Sequence, residues 1–171
     1  MLRTRVVTLE EFVVRYPPHL PRRQLANEDE GRLLSPVDGV IVIGQPSEAS
    51  VSKRAHPRDP DAGQATHLWV FLETSIPAIL ELAVVSPALE SGRAKHTNLT
   101  GGGKAACGGE LWVDPVDHSK LYVNGGSGRY GPTTPVQLDD AIGVFRTRGY
   151  EVVSFGWSEE NDEPARVLRD V

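Results

Sequence analysis

Glu110-Leu111-Trp112-Val113-Asp114 and Lys120-Leu121-Tyr122-Val123-Asn124 are the stretches on which the reading of the fold turns. In both, apolar and polar side chains alternate with a period of two, the pattern of a strand with one buried face. Leu111, Val113, Leu121 and Val123 then form the core face. Glu110, Trp112, Tyr122 and Asn124 share the opposite one. The short link, Pro115-Val116-Asp117-His118-Ser119, makes the pair a hairpin.

Working outward toward the C-terminus, Gly125-Gly126-Ser127-Gly128-Arg129-Tyr130-Gly131 is a glycine-rich loop. Thr134-Pro135-Val136-Gln137 reads as a capping box with proline at the first helical position. Leu138, Ala141, Ile142 and Phe145 form the apolar stripe of that helix, and Gly149 its C-terminal cap. Residues 151–157 read as the last strand, and the acidic tail from residue 158 is expected to fray.

Toward the N-terminus, residues 94–99 read as a strand. Residues 76–85 read as a helix, with Ser75 as cap and Pro77 in the first turn. His67-Leu68-Trp69-Val70-Phe71-Leu72 and Val40-Ile41-Val42-Ile43-Gly44 are strands rich in β-branched and aromatic residues. The polar stretch 45–64 between them is expected to be a mobile loop. Thr8-Leu9-Glu10-Glu11 is a second capping box, with Val7 and Phe12 placed as a hydrophobic staple. Leu9, Phe12, Val13 and Tyr16 make a helical stripe that Pro17-Pro18 stops.

The sum is an α+β fold: a mostly antiparallel sheet of about five to six strands with two to three helices packed on one face. Residues 1–34 form an N-terminal helical arm, expected to pack on the domain or to meet a protein partner. Residues 35–171 form a single domain.

Composition bounds the function. The chain has 171 residues, enough for one domain, with 17 Gly and 13 Pro, which favours turns and short elements over a helical bundle. Asp and Glu outnumber Lys and Arg, 23 to 18, which weighs against a broad duplex-wrapping basic surface and still allows a small local basic site. Cys107 stands alone, and an intramolecular disulfide needs two. No apolar run approaches the roughly 20 residues of a membrane span, and no signal-like stretch follows Met1. A soluble, cytoplasmic protein with no membrane partner is expected.

The chemistry concentrates between residues 93 and 131, where polar reactive side chains lie between glycines. His96 and Glu110 are the candidate acid–base pair, and Arg129 and Lys95 the candidate phosphate-stabilising cations. Thr97, Asn98, Trp112, Asn124, Gly126, Ser127, Gly128 and Tyr130 are candidate ligand-binding residues. The loop 125–131 offers backbone N–H groups to an anion, and Trp112 and Tyr130 offer rings for base stacking. The loop lacks the Gly-Lys-Ser/Thr of a Walker motif and the spacing of a dinucleotide fingerprint.

Cys107, Glu110, Asp114, Asp117 and His118 are close in sequence but lack the spacing of a dedicated metal site, so neither metal nor cofactor is expected. Cys107 as a nucleophile beside His96 is the minor reading next to a buried thiol.

The expected function is a metal-independent ribonuclease or nucleotide phosphodiesterase acting on a nucleotide or short single-stranded RNA. The layout is compatible with small toxin-type ribonucleases. The alternatives are a non-catalytic nucleotide-binding or sensor module, an NAD-dependent ADP-ribosyltransferase, and an interaction or immunity-type protein. On this reading His96→Ala and Arg129→Ala leave folding intact.

Overall fold

A computed structural model describes residues 7–47, 51 and 53–168. The sequence-based statements about residues 1–6 of the arm, and about residues 48–50 and 52 of the loop, fall outside them.

Strand β2 (His67–Phe71) is buried along its whole length, and the sheet is built around it. It pairs antiparallel with β3 (Pro77–Leu80) on one side and β4 (Cys107–Val113) on the other. Strand β1 (Ile41–Val42) lies outside β3. Strand β5 (Lys120–Asn124) follows β4 as the expected hairpin, with Glu110 opposite Asn124 and Trp112 opposite Tyr122. Strand β6 (Glu151–Ser154) runs parallel to β5 at the far edge. The order is β1-β3-β2-β4-β5-β6, and among the described residues β5–β6 is the one parallel pair. The architecture is therefore the expected mostly antiparallel α+β fold.

Helices α1 (Leu9–Arg15) and α2 (Pro135–Thr147) cover the same sheet face. Trp69, Phe71, Leu111, Val113, Leu121 and Val123 meet Leu9, Phe12, Leu138, Ile142 and Phe145 there. Phe12 stands edge-on to Phe71 at 5.0 Å and Phe145 edge-on to Trp69 at 5.1 Å, the geometry the ring quadrupoles favour. Asp140 of α2 accepts hydrogen bonds from Tyr16 Oη at 2.7 Å and Arg15 at 2.9 Å, which ties α1 to α2. The apolar stripe of the N-terminal segment thus covers the chain's own core.

The other face carries two clusters. Leu68, Val70, Ile79, Leu99 and Tyr130 form one. Trp112, Tyr122 and Phe155 form the second, roofed by Ala55, Ala62 and Ala65. The described part of the 45–64 stretch therefore packs on the sheet, where the His56 ring meets Tyr122 edge-on at 4.6 Å.

Three expectations are corrected. Residues 76–85 are not a helix: 77–80 are strand β3, with Ala78 facing the helices and Ile79 the opposite face. A short apolar run reads equally as helix or buried strand, and Pro77 sits at a strand's first residue as readily as in a helix's first turn. Residues 94–99 are not a strand: His96–Leu99 is a 3-10 turn whose Asn98 Oδ1 accepts the Lys95 N–H at 2.8 Å. The tail does not fray from residue 158. Gly156, at φ +76°, ends β6, and β7 (Trp157–Ser158) pairs with β8 (Glu163–Pro164) in a small hairpin.

His67, 3% exposed at the head of β2, has a titration that burial lowers to about 4, against the opposing bond to Ala65 O. In the unfolded chain an imidazole titrates near about 6.5. Above that pH both states are neutral and stability is full. Below it the unfolded chain takes up a proton that the fold refuses down to about 4. Stability is therefore lost as pH falls through that window. Urea unfolding is expected to show His67 removing on the order of 2 kcal/mol between about pH 7.5 and pH 5. His67→Gln flattens that part of the slope; a slope unchanged in the variant would refute the assignment.

Candidate functional site

On the helix-free face, β4 presents Gly108 and Glu110 between the two apolar clusters, and a pocket of about 160 Å³ opens there. All four residues expected to do chemistry line it: Lys95, His96, Glu110 and Arg129. Gly126, Ser127 and Gly128 of the glycine-rich loop line it as well.

His96 lies over Gly108 at the pocket. A Cβ at Gly108 would stand 3.4 Å from the imidazole Cδ2. The ring's Nε2 lies 2.8 Å from Gly109 O. A carbonyl only accepts, so Nε2 carries the hydrogen and Nδ1 keeps the lone pair. Burial, joined by the positive charges of Arg166, Arg129 and Lys95, lowers this imidazole to about 4, while the Gly109 bond opposes the shift. His96 is neutral at physiological pH.

Asn124 holds Glu110. Its Oδ1 accepts the Glu110 and Gly126 backbone N–H groups at 3.0 and 2.9 Å. That orientation turns Nδ2 toward Glu110 Oε1, to which it donates at 3.1 Å. Burial raises the Glu110 carboxyl above the usual carboxylate range, although the Asn124 bond and Arg166 pull it down.

Sequence reasoning missed two of the pocket's cations. Arg23 arrives from the segment after α1 and lies against Gly128, where a Cβ would stand 2.9 Å from its Nη2. Arg166 arrives from just beyond β8 and stands 3.8 Å from Glu110 Oε1. Both are remote in sequence from residues 93–131, so no local motif marks them. Arg23 and Lys95 pair with no carboxylate among the described residues. Glu81, the other carboxylate at the pocket, pairs with Arg93 at 3.3 Å.

Arg129 is placed differently from its expected role. Its guanidinium is buried, ion-paired with Glu30 and donating to Gln24 O at 3.0 Å. Its Nε is buried with no hydrogen-bond partner.

Five of the candidate ligand-binding residues do not line the pocket. Trp112 is only 7% exposed, stacked on Phe155 at 5.4 Å with Nε1 donating to Ala62 O. Tyr130 is fully buried, its hydroxyl bonded to Thr100 and to Gly103 O. Neither ring is available to stack a base, because each fills an apolar cluster that the alternation pattern left open. Asn98 spends Nδ2 on Asp29 O and Arg32 O, and Thr97 is fully buried in the same turn. Asn124 acts from behind Glu110.

Cys107 lies on the helix-covered face, where burial pushes its thiol up to about 12. It stays protonated and inert as a nucleophile. Among the described residues no group of three His, Cys, Asp or Glu is placed to hold a metal ion, and no helix is long and apolar enough to cross a membrane. No protein-family model, curated protein or solved structure matches the chain.

Proposed function

We propose that this chain is a binding module for a small phosphorylated ligand, with the phosphoryl group of a nucleotide seated in the pocket and no turnover. One observation carries the reading. Arg23 and Lys95, neither paired with a carboxylate among the described residues, converge on a polar cavity, beside a loop whose glycines let it close on the guanidinium of Arg23. Cations without a carboxylate partner are a standing attraction for an anion, and guanidinium groups match phosphate oxygens in pairs.

Size supports the same reading. The cavity measures about 160 Å³. That suits a phosphoryl group and leaves the sugar and base outside.

Phosphodiester cleavage by His96 and Glu110 is the second reading, favoured by their meeting in one pocket. Binding without turnover is preferred for two reasons. The His96 Nε2 proton is committed to Gly109, and a ring titrating near 4 is a weak base at neutral pH.

Calorimetry with inorganic phosphate, nucleoside monophosphates and short RNA tests both readings. Wild type is expected to bind phosphate and monophosphates. Arg23→Ala is expected to lose about tenfold in affinity, the lower end of a charge-assisted hydrogen bond. Binding of none of these ligands would overturn the proposal. Products detected by mass spectrometry with wild type but not with His96→Ala would move the assignment to a phosphodiesterase.

A further inference from the structure

We infer that Glu110 makes the pocket selective for a phosphate that still carries a proton, over an oxyanion of the same size that carries none. The inference rests on the pocket being an anion site and names the class of anion it takes.

A carboxylate is an unexpected wall for such a site. Arg23, Lys95 and Arg166 present only donors, and donors alone accept any tetrahedral oxyanion. Glu110 adds an acceptor that cannot be turned away. Its Oε1 is fixed by Asn124 Nδ2 at 3.1 Å, and Asn124 is fixed in turn by the two backbone N–H groups on its Oδ1. Oε2 makes no hydrogen bond among the described residues. The other carboxylate, Glu81, is engaged by Arg93.

A ligand oxygen facing Oε2 must therefore supply a hydrogen. Hydrogen phosphate supplies one, and the P–OH of a phosphomonoester monoanion supplies one. Sulfate at neutral pH has none, so two acceptors would face each other, unpaired, in a partly desolvated site. An internal phosphodiester has no P–OH either. The ligand class is then free hydrogen phosphate, or a terminal phosphomonoester in its monoanionic form, not the interior of an RNA chain.

The neutral His96 also offers an acceptor, Nδ1, at the same pocket, so the test must separate the two. Titration calorimetry compares sodium phosphate with sodium sulfate at equal ionic strength and about pH 7.5, where inorganic phosphate is mainly the monohydrogen dianion. Wild type is expected to bind phosphate at least about tenfold more tightly than sulfate, the scale of one unmatched buried polar group. Glu110→Gln, whose amide both donates and accepts, is expected to bind the two anions alike. Glu110→Ala removes the acceptor and is expected to lose the discrimination too, with the thermal melt showing that both variants fold.

Equal wild-type affinity for the two anions would overturn the inference and leave the anion site standing. Discrimination surviving in Glu110→Gln would also overturn it and assign selectivity to His96. Binding of neither anion would overturn the anion site itself.

Discussion

Arg129→Ala is expected to destabilise the fold by about 3–5 kcal/mol, the usual cost of removing one partner of a buried ion pair. Sequence alone places Arg129 on a glycine-rich loop, as an exposed phosphate ligand whose loss spares the fold. In the structure its side chain is 10% exposed and that of Glu30 is 7% exposed, and the two are paired. Alanine would leave the Glu30 carboxylate buried without its cation. It would also free Gln24 O, the carbonyl that Arg129 holds.

Glu30 and Gln24 belong to the segment that carries Arg23 into the pocket, so loosening it is expected to weaken anion binding as well. The control is the pair Glu30→Leu with Arg129→Met. It removes both charges together and should recover much of the lost stability, because a buried pair replaced by apolar side chains is often near neutral. Urea midpoints of the single and double variants measure this. An Arg129→Ala midpoint equal to wild type would show that the pair does not hold the N-terminal segment.

What was legible in the sequence was local. The alternation in 110–114 and 120–124 put the right residues on each face because both strands lie in the sheet interior, flanked on both edges. The two N-caps also read correctly: Thr8 accepts the Glu11 N–H and Thr134 the Gln137 N–H, each at 3.1 Å. The reciprocal half of neither capping box forms: Glu11 Oε1 takes the Thr8 hydroxyl, not its backbone N–H. The Gln137 side chain turns to the Thr133 N–H instead of the cap residue.

Misreadings arose where a long-range partner decides. Pro77-Ala78-Ile79-Leu80 becomes a strand because β1 and β2 flank it, and nothing within residues 76–85 encodes those neighbours. Trp112 and Tyr130 looked like exposed rings because their covers, Phe155 with residues 55–65 and the Leu68–Leu99 cluster, are distant in the chain. The acid–base candidates were legible because glycines mark where a side chain approaches backbone. The cations from positions 23 and 166 were not, because each reaches the pocket only after its whole segment has docked.

Those same glycines supply the variant expected to damage binding most. Gly126→Ala should lower phosphate affinity by about a hundredfold or more while leaving the fold near wild-type stability. Gly126 is not in the left-handed region, so alanine meets no backbone penalty there. The new methyl group, however, would stand 2.9 Å from Asn124 Oδ1, 2.9 Å from Glu110 Oε1 and 3.0 Å from Arg166 Nη1. Something must move.

Asn124 cannot move easily, since two backbone N–H groups hold its Oδ1. Arg166, its side chain 56% exposed, and Glu110, forced off its single Asn124 Nδ2 bond, must give instead. Displacing them puts a carboxylate into the cavity and takes a guanidinium out of it. Two charged contacts changed at about 1.5–3 kcal/mol each give the expected loss. Gly63→Ala is the matched control, since position 63 has open space around it and no positive φ. It should alter neither the affinity nor the urea midpoint. If Gly126→Ala bound phosphate as wild type does, the anion would have to sit elsewhere, and the pocket between Glu110 and Arg166 would lose its assignment.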